Sequence, residues 1–131
     1  MGKKKYDPDK TFKEQQEDVE LTWQGRICKI IRDNGGFAER IEFKLKGGCP
    51  DIMASIPHRT ETLFIECKMG HKVLDPLQKK IFRAMAAAGF EIRCICIYLE
   101  GDQIWLICFD FETGKELVQC RPTDLIKMLW N

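Results

Sequence analysis

The segment "GGCPDIMASIPHRTETLFIECKMG", residues 47–70, places charged side chains inside two apolar runs. The runs "DIMASI" and "TLFIECK" predict two short β-strands, and "PHRTE" between them is typical of a hairpin turn. Residues two apart in a strand share one face, so Glu66 and Lys68 project together while Cys67 points away. The second strand is therefore predicted to present a carboxylate beside an ammonium group.

Asp51 lies at the start of the first strand and can pair with Glu66 of the second. That pairing centres the turn between His58 and Arg59, in the middle of "PHRTE". A register one residue away would need a bulge at "GGCP". Two neighbouring carboxylates repel each other, and both stay ionised at neutral pH only if a metal ion or a lysine lies between them. The register therefore decides whether the hairpin forms a charged site.

Two carboxylates, a backbone carbonyl and water form an oxygen-rich site that suits Mg²⁺ or Mn²⁺ and not zinc. Beside such a metal, Lys68 could hold or deprotonate an attacking water, or stabilise charge on a phosphoryl oxygen. A plain surface ion pair between Glu66 and Lys68 accounts for the same pattern. The spacing alone leaves both interpretations open.

The 131 residues are 44% hydrophobic and 31% charged, which is typical of one globular domain. The sequence predicts a domain over residues 12–131, preceded by a flexible basic tail over residues 1–11. No apolar run is long enough to span a bilayer, and the N-terminus has no secretory h-region. We expect a cytoplasmic protein.

Seven cysteines are many for this length, but the number is odd and no CxxC motif occurs. Most of them lie in apolar segments, and Cys94 and Cys96 alternate along a predicted strand. A thiol metal site or a disulfide scaffold is one interpretation. We favour free cysteines that pack as small hydrophobic residues in a reducing compartment.

A helix and a strand precede the hairpin. Apolar residues recur at helical spacing from about Phe12 to Asp33, and "DNGG" ends that helix. "FAERIEFKL", residues 37–45, alternates as a half-exposed strand. Its apolar face would contain Phe37 and Ile41, with Glu39 as the misfit.

The helix after the hairpin has the clearest start signals. Asp75 is a candidate N-cap, Pro76 falls at N1 and Gln78 at N3, which resembles a capping box. Gly89 ends the helix. Its apolar stripe is predicted at Leu77, Ile81, Met85 and Ala88.

The rest of the chain predicts more strands and a last helix. "FEIRCICIYL" is apolar on both faces, as expected of a central strand. "IWLICFDF" and "ELVQC" follow as strands, and "TDLIKMLW" predicts a helix that either covers the sheet or forms a dimer surface. The order of elements indicates an α/β fold with a mixed central sheet flanked by helices.

"PD", 14 residues and then "ECK" resembles the signature of the PD-(D/E)xK nuclease superfamily. Together with "GGCPDIMA", "LFIECKMG" and "LDPLQKKIFRAMAAAG", the stretch from Glu20 to Tyr98 resembles the VRR-NUC domains of that superfamily. The resemblance implies a restriction-endonuclease-like αβββαβ core. It also implies a Mg²⁺- or Mn²⁺-dependent DNA endonuclease that cuts phosphodiesters with metal-activated water.

The resemblance further implies roles for particular residues. Asp51 and Glu66 would bind the metal together with the main-chain carbonyl of Cys67. Lys68 would be the catalytic lysine. Gln78 would orient the lysine or the water, an interpretation that competes with its capping role, because one side chain is not expected to do both.

A carboxylate on the first helix, often within ExxxQ, is also implied by the resemblance. Glu20 of "ELTWQ" is the favoured match and would be a further metal ligand, and Glu17 is its competitor. The candidates for phosphate contacts, with plain solvation as the alternative, are Arg40, Lys46, Lys72 and Lys79. The two histidines, His58 and His71, are predicted to lie in loops.

Stand-alone phage and bacterial members of this family are similar to Holliday-junction resolvases. The resemblance implies a homodimer that cuts four-way or flap DNA in a bacterial cell or an infected host, with recognition through DNA shape. The alternative is a catalytically inactive nucleic-acid-binding module on the same fold. A net charge of +1 excludes neither, because local basic patches can attract phosphate.

Overall fold

The computed structural model describes residues 12–41 and 47–130, with the backbone alone for residues 12–19. The predicted tail over residues 1–11, the end of the predicted strand over 37–45 and Lys46 lie outside the described residues. Within the described ranges the helices are α1 Phe12–Asp33, α2 Pro76–Ala87 and α3 Leu125–Leu129, with a 3₁₀ turn at Pro122–Asp124. The strands are β1 Phe37–Arg40, β2 Ile52–Ser55, β3 Thr62–Met69, β4 Glu91–Glu100, β5 Gln103–Phe109 and β6 Glu116–Cys120.

One mixed sheet contains these six strands in the order β1-β2-β3-β4-β5-β6. Neighbouring strands run antiparallel, except that β3 and β4 are parallel. A parallel pair needs a crossover connection, and α2 provides it. The predicted α/β class, with a mixed sheet flanked by helices, is confirmed.

The larger hydrophobic core lies between the sheet and helices α1 and α3. Along α1, the buried residues Trp23, Ile27 and Ile31 are four apart, so they share the helix face that meets the sheet. The helix predicted from this spacing is confirmed. The two central strands contribute alternate residues to the same core: Leu63, Ile65, Cys67, Ile95 and Ile97.

A second, smaller core lies on the opposite face of the sheet, under α2. Phe82 of α2 is fully buried there, and its ring meets the ring of Phe111 edge-on with 5.8 Å between centroids. Cys94 and Cys96 of β4 pack in this core, while Ile95 between them packs in the larger one. Strand β4 is thus buried on both faces, as its sequence predicts.

The face of β1 that meets the core is not the predicted one. Ala38 is fully buried, whereas Phe37 is 51% exposed and Glu39 lies on the surface, 3.7 Å from Arg32. The cause is the close approach of α1, because a Cβ atom on Gly36 would lie 2.8 Å from the Ile31 side chain. Only a small inward residue fits there, so Glu39 is not a misfit.

The buried face of α2 also differs from the predicted apolar stripe. Leu77 is 50% exposed, and the residues that α2 buries are Gln78 and Phe82. Successive residues of a helix are rotated by about 100°, so the buried face is rotated from the predicted stripe towards Gln78 and Phe82. Ile81 of the predicted stripe is half-buried and packs against the smaller core. The boundaries of α2 and its capping box at Asp75 are confirmed.

Helix α3 covers the sheet. Leu125, Met128 and Leu129 are buried in the larger core, so the dimer-surface interpretation of "LIKMLW" is wrong for these side chains. Arg59 in the β2–β3 turn donates to the main-chain carbonyl of Trp130 at 2.9 Å. This contact anchors the end of α3 to the hairpin.

All seven cysteines lie in the described part of the chain and are free thiols, and five of them are buried. The five buried cysteines pack as small hydrophobic residues in the two cores, as the sequence predicts, while Cys49 and Cys120 are half-buried. No helix in the described ranges is both long and apolar enough to cross a membrane.

Candidate active site

The register of the β2–β3 hairpin brings Asp51 opposite Glu66. Ile52 pairs with Ile65, and the main-chain N–H of Asp51 donates to the carbonyl of Ile65 at 3.0 Å. The turn is therefore centred where the sequence predicts, and the described pairing of these strands contains no bulge. His58 takes the left-handed conformation in this turn, with φ of 66°.

Asp51 is held by the main chain of the neighbouring strand. Its Oδ2 accepts a hydrogen bond from the N–H of Cys67 at 2.8 Å. Burial raises the pKa of the Asp51 carboxyl, while this N–H and a hydrogen bond with Glu66 favour its ionised form. Asp51 and Glu66 therefore behave as a close carboxyl pair.

Glu66 is the most buried charged group of the site, with 3% of the residue exposed. Its Oε2 accepts from Gln78 Nε2 at 2.9 Å and lies 3.4 Å from Lys68 Nζ, whereas its Oε1 is buried and no N–H group of the described residues donates to it. Burial and then the charge of Asp51 raise the pKa of Glu66 to about 9. Burial and the neighbouring carboxylate thus favour the protonated form of Glu66, whereas Lys68, or a cation bound at the pair, favours the ionised form.

Lys68 projects from the same face of β3 as Glu66, as the two-residue spacing predicts. Its Nζ donates to Gln78 Oε1 at 3.0 Å, in addition to its ion pair with Glu66. Both partners are buried, so the ammonium group is held at the edge of the carboxylate pair.

Gln78 both caps α2 and binds the site, so the expectation that it could do only one is wrong. Its Oε1 accepts from Lys68 and also from the main-chain N–H of Asp75 at 3.2 Å. Its Nε2 donates to Glu66. A carboxamide oxygen has two lone pairs, so one oxygen serves both donors while the nitrogen serves the carboxylate.

Glu20 joins α1 to the end of β3. Its Oε1 accepts from the main-chain N–H of Met69 at 3.0 Å, and burial raises the pKa of its carboxyl. The charges of Lys68 and Asp51 also act on this pKa, so Glu20 lies at the margin of the site. Gln24, one turn further along α1, is buried as well.

Main-chain donors are the part of the site that the sequence did not predict. The N–H groups of Cys67 and Met69 hold Asp51 and Glu20, respectively. Every residue except proline carries such a donor, so no residue type marks these positions.

Comparisons with known proteins show the fold through solved structures alone. No family model matches the chain, and no curated protein matches it. A structure described as a VRR_NUC domain superposes with a TM-score of 0.50 and 20% identity, covering 59% of this chain and 82% of that one. The Archaeoglobus fulgidus Hjc, a Holliday junction resolvase, superposes with a TM-score of 0.51 and 17% identity, covering 76% and 85%.

The chain shares its fold with the VRR_NUC domain and with the resolvase. This fold is of the restriction-endonuclease type, as the sequence resemblance implies. In this fold, the carboxylate pair and Lys68 lie on the β2–β3 hairpin, and Gln78 reaches them from the start of α2.

The pair of carboxyl groups at Asp51 and Glu66 suits a hard divalent cation. The buried Oε1 of Glu66 accepts no hydrogen bond from the described residues, and the Asp51 carboxyl lies beside Glu66, so a cation between them would satisfy both. Within the described ranges, no three His, Cys, Asp or Glu side chains converge as a metal site. Further ligands would therefore be main-chain carbonyls, water or substrate oxygens.

Three of the four predicted phosphate-binding residues, Arg40, Lys72 and Lys79, belong to the described part of the chain, and they lie in separate segments of the fold. Arg40 is exposed at the end of β1. Lys72 forms a 3.2 Å ion pair with Glu116, and Lys79 is half-buried on α2. His58 and His71 both lie in loops, as predicted.

Proposed function

We propose that this chain is a Mg²⁺- or Mn²⁺-dependent endonuclease that cuts branched DNA. The observation that carries the proposal is the close pair of Asp51 and Glu66 carboxyl groups beside Lys68, in which Oε2 of Glu66 lies 3.4 Å from Lys68 Nζ and Oε1 is buried and accepts no hydrogen bond from the described residues. In a purely structural ion pair, both buried carboxylate oxygens would accept hydrogen bonds. A carboxylate that binds a metal instead keeps one oxygen free to coordinate the ion. The likeness of the fold to a VRR-NUC domain and to a Holliday junction resolvase supports the same conclusion.

In this proposal Asp51 and Glu66 hold the metal, and the main-chain carbonyl of Cys67 completes its ligands with water or substrate oxygens. The Glu20 carboxylate, a further ligand according to the sequence resemblance, accepts the N–H of Met69 at the margin of the site and does not converge with the pair. When bound, the metal supplies Lewis-acid chemistry, which lowers the pKa of water and polarises a phosphoryl oxygen. The N–H of Cys67 fixes one oxygen of Asp51, so that carboxylate is oriented before any ligand arrives.

Lys68 acts on the reacting phosphate. Its ammonium group stabilises the negative charge that develops on the phosphoryl oxygens, or positions the attacking water. Gln78 Oε1 accepts one of its three N–H groups, which limits the rotamers of a side chain that is otherwise flexible. The role of Gln78 is to aim the lysine.

Branched DNA is the proposed substrate, because the fold neighbour is named as a Holliday junction resolvase. Arg40, Lys46, Lys72 and Lys79 would contact phosphates, and a homodimer would place two sites on opposite strands. A cytoplasmic location and an origin in a bacterial cell or a phage-infected host remain predictions.

The test is a cleavage assay on duplex, single-stranded, flap and four-way DNA of matched sequence. We expect cleavage of the branched substrates with Mg²⁺ or Mn²⁺, and none with EDTA. Lys68→Ala should lower the cleavage rate on the order of 100-fold or more, because it removes charge stabilisation at the phosphate. Lys29→Ala, at an exposed lysine on α1 that pairs with Asp33, is the matched control.

The alternative is a nucleic-acid-binding module without activity. It would bind junctions under either metal and never cut them, and the enzyme proposal would then be abandoned. Activity that survives Asp51→Ala in a protein that contains stoichiometric zinc would exclude the proposed mechanism altogether.

A further inference from the structure

Gln78 lies at the junction of two hydrogen-bond networks, one in the site and one at the start of α2. In the site its amide contacts Lys68 and Glu66. At the helix start its main-chain N–H donates to Asp75 Oδ1 at 2.8 Å, and its Oε1 accepts from the N–H of Asp75 at 3.2 Å. The residue that holds Gln78 from the helix side is therefore Asp75.

The geometry leaves Gln78 little freedom while Asp75 caps the helix. The Asp75 carboxylate fixes the main chain of Gln78, and the main chain of Asp75 fixes its side-chain oxygen. The opposite end of the amide is fixed by the buried oxygen of Glu66. Loss of the cap would release the first turn of α2, where orphan N–H groups have no partner within the helix.

Pro76 and Gly48 constrain the same turn without touching the lysine. Pro76 at N1 presets the backbone for a helix start. A Cβ atom on Gly48 would lie 2.9 Å from Ile81 and 3.4 Å from the Cα of Gln78, so the "GG" loop packs directly on this turn. The start of α2 is thus held in one place relative to the hairpin, and Asp75 provides its side-chain hydrogen bond.

We infer that Asp75 is a positioning residue, which holds Gln78 through the capping box so that Lys68 is aimed at the reacting phosphate. Asp75 touches neither substrate nor metal in this scheme. The inference rests on the proposed nuclease function for its effect on rate. The effect of Asp75 on the orientation of Lys68 does not depend on the proposed nuclease function.

The first experiment measures the orientation of Lys68 without any catalysis. The full chain is treated with a trace amine-acylating reagent, and mass spectrometry compares the labelling of Lys68 with that of exposed Lys29. Asp75→Ala should raise the relative labelling of Lys68 on the order of tenfold, because its acceptor at Gln78 is released. Asp75→Asn and Asp75→Ser, which keep a capping oxygen, should restore the wild-type value.

The second experiment measures single-turnover cleavage well below the melting temperature. Asp75→Ala should lower the rate constant on the order of tenfold with little change in DNA affinity, and Asp75→Asn should restore it. In a Gln78→Ala background, Asp75→Ala should change the rate less than about twofold, since its action passes through Gln78. A cap that merely stabilises the helix would instead act on the melting temperature alone.

Asp110 provides the matched control. Its carboxylate also accepts a main-chain N–H three residues ahead, that of Thr113, but it follows β5, two strands from β3. Asp110→Ala should leave both Lys68 labelling and rate unchanged. Equal effects of Asp75→Ala and Asp110→Ala, or unchanged Lys68 labelling in Asp75→Ala, would overturn the inference. A wild type that cuts no substrate refutes the proposed function, and the labelling result then decides the positioning of Lys68 by itself.

Discussion

Replacing Glu66 with glutamine removes one buried carboxylate while keeping the size and shape of the side chain. The amide oxygen can keep the contacts that Gln78 and Lys68 make with Oε2, and the amide nitrogen can donate towards Asp51. The variant therefore keeps the packing and the partners, and it loses the group that titrates and that would bind a metal. It separates the stability of the site from its proposed chemistry.

The magnitude follows from the pKa of Glu66, which burial and Asp51 raise from 4.5 to about 9. Between these values the folded protein keeps a proton that the unfolded chain has released, so stability is full at low pH and falls as pH rises. One such proton changes the folding equilibrium up to about tenfold per pH unit, or roughly 4 kcal/mol from about pH 5 to about pH 8. Glu66→Gln should remove this dependence.

The assay is urea unfolding of metal-free protein at a series of pH values. We expect the free energy of unfolding to fall as pH rises in the wild type. In Glu66→Gln the slope of this fall should be smaller by the contribution of about one bound proton. Added Mg²⁺ or Mn²⁺ at 100 times its dissociation constant should stabilise the wild type by about 2.7 kcal/mol, and more weakly at low pH, where the proton competes. Glu66→Gln should show little of this gain and no cleavage.

Glu112→Gln serves as the control, because Glu112 is exposed and its ion pair with Arg83 lies outside the site. It should behave like the wild type in both pH dependence and metal response. Equal pH slopes for the wild type and Glu66→Gln would show that Glu66 is not the buried proton-binding group. A wild type that becomes more stable as pH rises from 5 to 8 would refute the burial argument itself.

Three further predictions concern α2 and the basic surface. Phe82→Ala should cost about 3 to 5 kcal/mol in urea unfolding because Phe82 is fully buried, whereas Leu77→Ala should cost less than about 1 kcal/mol; equal costs would contradict the observed face of α2. Gly48→Ala should destabilise the fold by about 1 to 3 kcal/mol in the same assay, since φ is 92° and the added Cβ would crowd α2; an unchanged midpoint would contradict this packing. If Lys72 contacts phosphate, Lys72→Ala should reduce the slope of log affinity against log salt by about 1, and Glu116→Gln should tighten DNA binding because it frees Lys72 from its ion pair; unchanged binding in both variants would exclude Lys72 from the interface.

Local rules explain why much of the hairpin could be predicted from the sequence. The period of two along β3 determines that Glu66 and Lys68 share a face and that Cys67 faces the core. The short "PHRTE" connection restricts the register, and the register brings Asp51 opposite Glu66. These features depend on nearby residues, so a sequence pattern contains them.

The orientation of whole elements could not be predicted in the same way. For β1, the alternation of apolar residues favoured the Phe37 face, but the close approach of α1 leaves room only for Ala38. For α2, the apolar stripe favoured Leu77, but the sheet buries Gln78 and Phe82. Which face an element buries depends on what packs against it, and distant segments of the chain decide that.

The sequence by itself determined that Asp51, Glu66 and Lys68 lie together, through the spacing that aligns them. It also determined the capping box that starts α2. Only the tertiary structure decided that Gln78 links the two, because burial of a polar amide is favourable only where partners complete its hydrogen bonds. Those partners come from β3 and from the N-cap, twelve residues before Gln78 for Glu66 and three residues before it for Asp75. Packing of α2 against the sheet brings them to one side chain, and no local pattern encodes that contact.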